Sequence, residues 1–152
     1  LDEGKFDAII LAAAGLKRLG LADRITSYIS TDDSIPAAGQ GVMAVEARSD
    51  DQETLSLLSF LHDEDVASCI RSERSFLAKV GGDCKVPAGI YAVPKGEGGI
   101  HVEAFIASPD GKKLYRGETD GTVDHAEEAG ASIAEKLLDE GGREILEKLS
   151  KI

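Results

Sequence analysis

One cysteine stands where a thiol could react. Cys84 follows the glycine pair Gly81-Gly82, which comes at the end of a run with helical spacing, and it precedes Val86-Pro87. Because glycine ends helices and proline cannot continue one, we expect Cys84 on a bend outside regular structure. Such a thiol is open to chemistry, since its reactivity depends on ionisation and access. The alternative is that Cys84 is an incidental small residue and not a reactive one.

The other residues that could react or bind a metal show no such setting. Cys69 lies close to the apolar stripe of a predicted helix, so we interpret it as a small buried hydrophobe. Two cysteines are too few for a disulfide framework, and we expect both to be reduced. The three histidines, His62, His101 and His125, share no ligand spacing and are predicted to be surface residues, so no metal site is expected.

Two further segments could contact a ligand. Lys17 and Arg18 lie in a predicted helix that follows an apolar strand, beyond the carboxyl end of that strand, where open α/β sheets place their ligands. The alternative for this pair is a solvated helix face. Gln40 stands between Gly39 and Gly41, and paired glycines allow close approach by a ligand or by another segment, although they also occur in plain turns.

Charge and hydropathy exclude several classes of function. With 17 Lys and Arg against 28 Asp and Glu, the net charge is −11, which argues against non-specific binding to nucleic acid or to an anionic membrane. The sequence has neither an apolar run long enough to span a membrane nor a signal sequence, and we expect a cytoplasmic protein. Since the chain starts at Leu1 and its one methionine is Met43, we expect a piece of a longer chain.

The first third of the chain reads as strand and helix units. Residues 6–12 form an almost unbroken apolar run, predicted as a strand that leads into a helix over residues 13–19. A strand that is apolar on both faces belongs inside a covered sheet, and this chain offers it few partners. We expect those partners in a missing N-terminal part. After a crossover near Pro36, residues 42–47 are predicted as a second strand.

Two helices and a small sheet are predicted next. Asp50 or Asp51 can cap a helix that carries Leu55, Leu58 and Leu61, and Asp63 can cap a longer one that leads to Cys84. The apolar stripe of the longer helix consists of Val66, Ile70, Leu77 and Val80. Beyond Pro87, alternating residues predict three antiparallel strands, followed by two helices separated by Gly141-Gly142. The strands are predicted at residues 88–93, 100–106 and 113–118, and the helices at residues 126–137 and 143–149. Strands covered on one face by helices make a small α+β domain.

Several segments, in one order, resemble the porphobilinogen deaminase (hydroxymethylbilane synthase) family. Gly81 to Gly89, reading GGDCKVPAG, is similar to the family's cofactor-attachment loop, with Asp83 where many members have glycine. Ala14 to Arg18 is similar to its Ala-Gly-Leu-x-Arg segment, and Pro36 to Gly41 to its Pro-Ala-x-Gly-Gln-Gly hinge. The remaining similar segments are Asp7 to Ala12, Ser72-Glu73-Arg74 and Gly141 to Leu146.

The resemblance implies a fold and a division into domains. It implies an α/β plus α+β protein: the end of a two-lobed α/β region like that of periplasmic binding proteins, followed by a small domain with a three-stranded antiparallel sheet covered by helices. Residues 1–35 would end domain 2, residues 36–41 would be the hinge, residues 42–61 would return to domain 1, and residues 62–152 would be the C-terminal domain.

The resemblance also implies a transferase of haem and tetrapyrrole biosynthesis. Its dipyrromethane cofactor would be thioether-linked to Cys84, and four porphobilinogen units would be added with loss of ammonia before hydroxymethylbilane is released. Arg18 would bind the acidic side chains of porphobilinogen and of the growing pyrrole chain, and Gln40 would border the cleft. The family's catalytic aspartate lies in N-terminal segments absent here, so we expect no catalytic residue in this chain and no turnover by it alone. We expect a monomer.

Two readings from other classes stay open. A non-catalytic, two-lobed small-molecule binding protein would have similar strand and helix units, with Cys84 merely structural. A regulatory module built on the C-terminal α+β domain would place Arg18 and Gln40 in no common cleft with Cys84.

Overall fold

The structure, a computed structural model, describes residues 1–81 and 86–149. The chain divides into two compact units, Leu1–Ser34 and Ile35–Ile152, and each is described by itself. Among the described residues, no helix is both long enough and apolar enough to cross a membrane.

The first unit contains helix α1 (Ala13–Arg18) and a short 3₁₀ turn, Ala22–Arg24. The predicted helix is therefore confirmed, but the predicted strand over residues 6–12 is wrong. The side chains of this apolar run are exposed, with Phe6 at 62% and Ile10 at 82%. A strand exists only when a neighbour completes its backbone hydrogen bonds, and the described residues of this unit provide none.

The second unit is built on a three-stranded antiparallel sheet, as predicted. Its strands are β1 (Ala88–Pro94), β2 (Gly99–Ala107) and β3 (Leu114–Thr122), in the order β1-β2-β3. The register pairs Ile90 with Ala104 and Ile106 with Tyr115. Alternate residues of β2 point to one face and are at most 1% exposed, which places the core on that side. They are Ile100, Val102, Ala104 and Ile106.

The described residues of the same unit also form helices α2 (Gln52–Leu58), α3 (Glu64–Val80), α4 (Ala126–Leu137) and α5 (Arg143–Leu149). A 3₁₀ turn, Ser59–Leu61, extends α2, and a wide turn, Leu138–Gly142, joins α4 to α5. The predicted caps are confirmed. The Asp51 carboxylate accepts the Thr54 N–H at 3.1 Å and the Asp63 carboxylate accepts the Val66 N–H at 3.1 Å, satisfying amides that the first helical turn leaves free.

Helices α3 and α4 cover the apolar face of the sheet. Phe76 of α3 and Ile133 and Leu137 of α4 are at most 1% exposed, beside the inward residues of β1 and β2. The two helices cross very closely at Gly130, where an added Cβ would lie 1.9 Å from the Ser72 carbonyl oxygen. Only glycine permits this approach of the two backbones.

One expectation for residues 42–61 is not met. Residues 42–47 form no strand, and Met43 is 78% exposed. Helix α2 forms as predicted, because its cap and spacing are local, whereas a strand requires a pairing partner from elsewhere. Its leucines stay partly exposed, with Leu55 at 37% and Leu61 at 55%.

Candidate functional site

Cys84 lies outside the described residues, and so does the bend predicted around it. The helix that leads to it is described: α3 ends at Val80, and Gly81 closes it in a left-handed conformation with φ 101°. The Gly81 N–H donates to the Leu77 carbonyl, and the chain is described again from Val86, shortly before β1 begins. The predicted end of the helical run at the first glycine is thus confirmed.

Cys69 is buried, as its position close to the apolar stripe of α3 predicts. It is 5% exposed within the core of the second unit. Burial raises the pKa of the Cys69 thiol, and the nearby Glu73 carboxylate raises it further. A thiol with a raised pKa and no access to solvent is a poor nucleophile. Of the two cysteines in the sequence, Cys69 is therefore unsuited to carry a covalent group.

Arg18 lies in the last turn of α1, on the exposed surface of the first unit. Its neighbour Lys17 is engaged elsewhere, since its Nζ lies 5.0 Å from the centre of the Tyr28 ring, within cation–π range. Tyr28 also lines an open hollow of about 710 Å³ formed mainly by residues 7–11 and 24–29. Arg18 and Gln40 belong to different units, and each is described within its own.

Gln40 occupies the tip of a tight turn in the second unit. Gly39 and Gly41 on either side both have left-handed backbone conformations, with φ 76° and 77°. The Gln40 N–H donates to the Ala37 carbonyl at 3.3 Å, and the Gln40 side chain is exposed. The two glycines therefore form the turn itself, and the turn presents the Gln40 amide to the surface.

A buried carboxylate holds this turn, and sequence reasoning missed it. Glu73, in the middle of α3, is 4% exposed. Its Oε2 accepts the Gly39 N–H at 2.7 Å and its Oε1 accepts the Ala92 N–H at 3.0 Å. Burial raises the pKa of Glu73, and the two amide hydrogen bonds oppose that rise. The one available signal was a charged residue within the apolar stripe of α3.

The segment before the turn lies along the free edge of β1. The Ile90 N–H donates to the Pro36 carbonyl at 3.0 Å, and Ile35 is 7% exposed. Gly89 permits this contact, because a Cβ there would lie 2.7 Å from the Pro36 carbonyl oxygen and 2.4 Å from the Phe105 ring. Backbone pairing, a glycine and the Glu73 carboxylate thus fix residues 35–39 on the edge of the sheet.

The opposite face of the sheet carries an ion-pair network. His101 Nδ1 lies 2.7 Å from Asp120 Oδ1, Lys95 Nζ donates to Asp120 Oδ2 at 2.6 Å, and Arg116 donates to Glu103 at 2.7 Å. The predicted outward position of His101 is confirmed. Among residues 1–81 and 86–149, no group of His, Cys, Asp and Glu side chains is arranged to hold a metal ion.

Two family models match the chain. The model described as "Porphobilinogen deaminase, dipyromethane cofactor binding domain" matches residues 1–56, and the model described as "Porphobilinogen deaminase, C-terminal domain" matches residues 67–139. The second match contains the described sheet, all but the first three residues of helix α3, Glu73 and the position of Cys84.

Curated relatives agree with the two models. A porphobilinogen deaminase of Thiobacillus denitrificans is 46% identical over 149 residues, which cover 98% of this chain and 48% of the relative. One of Staphylococcus saprophyticus is 45% identical over 152 residues, covering 99% of this chain and 49% of the relative. The chain thus spans about half the length of these relatives. With both domain models matched in order along its length, the chain belongs to the porphobilinogen deaminase family.

Proposed function

We propose that the whole protein to which this chain corresponds is a hydroxymethylbilane synthase, a cytoplasmic transferase that joins four porphobilinogen units with release of ammonia. Its primer would be a dipyrromethane held by a thioether to Cys84. This chain would supply the end of domain 2 (residues 1–35), a hinge (36–41), a return to domain 1 (42–61) and the C-terminal domain (62–152). The first three would belong to a two-lobed α/β region like that of periplasmic binding proteins.

One observation carries the proposal: both domain models of this family match one chain in order, with Cys84 inside the second match. The structure adds support through the burial of the other cysteine, Cys69. Because Cys69 is buried and its pKa is raised, Cys84 is the cysteine left to carry the cofactor. A thiol also suits the attachment, since sulfur is strongly nucleophilic even when partly ionised.

Each candidate residue would have a separate task. When bound, the dipyrromethane supplies the pyrrole to which further units are joined, and Cys84 would hold it in place so that each addition occurs between positioned groups. Arg18, exposed at the end of α1, offers a planar fork of donors to the carboxylates of porphobilinogen and of the growing chain. Gln40, presented by its glycine turn, offers amide donors and an acceptor to the same chain.

Intact-mass measurement of the full-length protein tests the attachment. We expect a mass increase equal to a dipyrromethane in the wild type and in Cys69→Ser, because Cys69 is buried in the core. We expect no increase in Cys84→Ser. An unmodified wild-type protein that still binds a small molecule would favour a non-catalytic two-lobed binder, and an adduct that persists in Cys84→Ser would show that another residue carries it.

The chain of 152 residues is proposed to have no turnover by itself, because the family's catalytic aspartate would come from segments outside it. A steady-state assay of hydroxymethylbilane formation from porphobilinogen checks this. The full-length protein should be active, and activity of the isolated chain would contradict the assignment of catalysis to the other segments.

A further inference from the structure

Glu73 connects three parts of the second unit. It projects from the middle of α3, its Oε1 accepts the Ala92 N–H of β1, and its Oε2 accepts the Gly39 N–H of the glycine turn. The Ile90 N–H donates a hydrogen bond to the Pro36 carbonyl, and Ile90 lies two residues earlier on the same free edge of β1. The carboxylate thus continues an edge pairing that the backbone of residues 35–39 begins.

Stability alone does not account for a carboxylate at this position. Glu73 is 4% exposed, and moving a charge out of water costs free energy that two neutral amide donors offset only in part. What a carboxylate provides is two acceptor oxygens at a fixed separation on one rigid helix. Oε1 accepts a hydrogen bond from Ala92 in the sheet, and Oε2 accepts one from Gly39, which directly precedes Gln40.

The same helix continues toward the proposed cofactor position. From Glu73, α3 runs without interruption to Val80, is closed by Gly81, and leads into the segment that contains Cys84. A contact between Glu73 and Gly39 therefore ties the turn that presents Gln40 to the element that precedes the attachment residue.

We propose that Glu73 is a positioning residue, whose carboxylate fixes the glycine turn carrying Gln40 relative to the helix that leads to Cys84. The inference rests on the proposed function, and it assigns Glu73 no contact with substrate. It acts through Gln40, by holding the backbone N–H of Gly39. Displacement of a binding group by about 1 Å can lower a rate by about 10²-fold, so this contact has consequences for turnover.

Two substitutions disturb the contact from opposite sides. Glu73→Gln keeps the size of the side chain but turns one of its two acceptors into a donor, which faces a backbone N–H. Gly89→Ala leaves Glu73 intact and pushes against the Pro36 carbonyl, which would lie 2.7 Å from the new Cβ. The matched controls are Asp65→Asn, which removes a charge from an exposed position of α3, and Gly117→Ala, whose new Cβ would meet Leu137 at an ordinary 3.4 Å.

The experiment uses the full-length protein, at a temperature at which unfolding curves show every variant to be folded. Intact mass reports the attached dipyrromethane, steady-state kinetics report kcat/KM, and hydrogen exchange reports protection of residues 35–41. For Glu73→Gln and Gly89→Ala we expect an intact adduct, faster exchange over residues 35–41, and a fall in kcat/KM of about tenfold or more. Both controls should behave as wild type. The double variant should lose no more than about the larger single effect, because both changes release one segment.

Two results would overturn the proposal. One is wild-type kcat/KM in both variants despite faster exchange over residues 35–41, since the contact would then be structural only. The other is loss of the adduct, which would place the role of Glu73 in cofactor attachment. Failure of the proposed function is distinguishable, because it appears in the wild-type protein itself as a missing adduct or missing activity.

Discussion

Glu64, the exposed first residue of α3, has a pKa that its hydrogen-bond partners determine. Its Oε2 lies 2.9 Å from His62 Nε2, and its Oε1 accepts a hydrogen bond from Arg71 at 2.6 Å. The hydrogen bond with His62 is the largest cause and that with Arg71 the next, and together they lower the pKa of Glu64 to about 2 from its usual 4.5. A carboxyl whose pKa falls on folding stabilises the fold above its unfolded pKa and loses that contribution as the pH falls.

The lowered pKa of Glu64 predicts how the stability of the fold changes as the pH falls. We expect Glu64→Gln to lower the midpoint of thermal unfolding relative to wild type above about pH 5, and we expect the difference to disappear as the pH falls from about 4.5 toward 2. Because the side chain is exposed, the difference should also shrink in high salt. Melting curves across this range test it, with Glu97→Gln, in the exposed turn between β1 and β2, as control. A difference that stays constant down to pH 2 would contradict the mechanism.

Residues whose role depends on near neighbours could be predicted from the sequence. Asp63 caps α3 through an amide three residues away, and the burial of Cys69 follows from its position close to the apolar stripe of that helix. Glu73 could not be predicted in the same way. Its partners lie 34 and 19 residues away, and a glutamate on a helix usually faces water.

At the scale of the element, the crossing of α3 and α4 depends on one missing side chain. A Cβ on Gly130 would lie 1.9 Å from the Ser72 carbonyl oxygen and 2.7 Å from its carbon. These are backbone atoms of a helix and cannot swing aside, so the two helices would have to separate.

We expect Gly130→Ala to destabilise the fold by about 1–2 kcal/mol. Overpacking costs about 1–3 kcal/mol, and a clash with two backbone atoms belongs in the upper half of that range, from which the gain of about 1 kcal/mol in helix propensity is subtracted. Denaturant unfolding measures the difference, and Ser132→Ala, at an exposed position of the same helix, should stay within about 0.5 kcal/mol of wild type. Equal stability of the two variants would show that the helices do not cross at Gly130.

Strands whose pairing partners are their neighbours in this sequence were predictable, and segments whose partners are not among the described residues were wrongly predicted as strands. Strands β1 to β3 are consecutive and pair with one another, so alternation and turn residues were sufficient to identify them. Residues 6–12 and 42–47 have equally apolar sequences but form no strand. Hydropathy reports the tendency of a segment to be buried, and it carries no information on whether a pairing partner is present.

At the scale of the whole molecule, the two units differ in how much of them is buried. None of residues 1–34 is buried, whereas the second unit has a continuous core between the sheet, α3 and α4. Local opening requires little free energy where few apolar contacts are broken, and proteases cut segments that open readily.

We therefore expect trypsin to cut this chain after Lys17, Arg18 or Arg24 well before it cuts after Arg116 in β3. Mass spectrometry of a time course identifies the order of cleavage. In urea, where both units are unfolded, the sites should be cut at similar rates. Early cleavage at Arg116 under native conditions would show that the sheet is not the stable part of the chain.

The Glu73 carboxylate also bears on self-assembly. An edge strand with free N–H groups can recruit a strand from another molecule, which is how ordered aggregates grow. On β1, the Ile90 N–H already donates to the Pro36 carbonyl and the Ala92 N–H to Glu73 Oε1, so an invading strand would have to displace a buried carboxylate. The side chain that holds the glycine turn in place thereby also leaves the Ala92 N–H unavailable to a strand of another molecule at this edge.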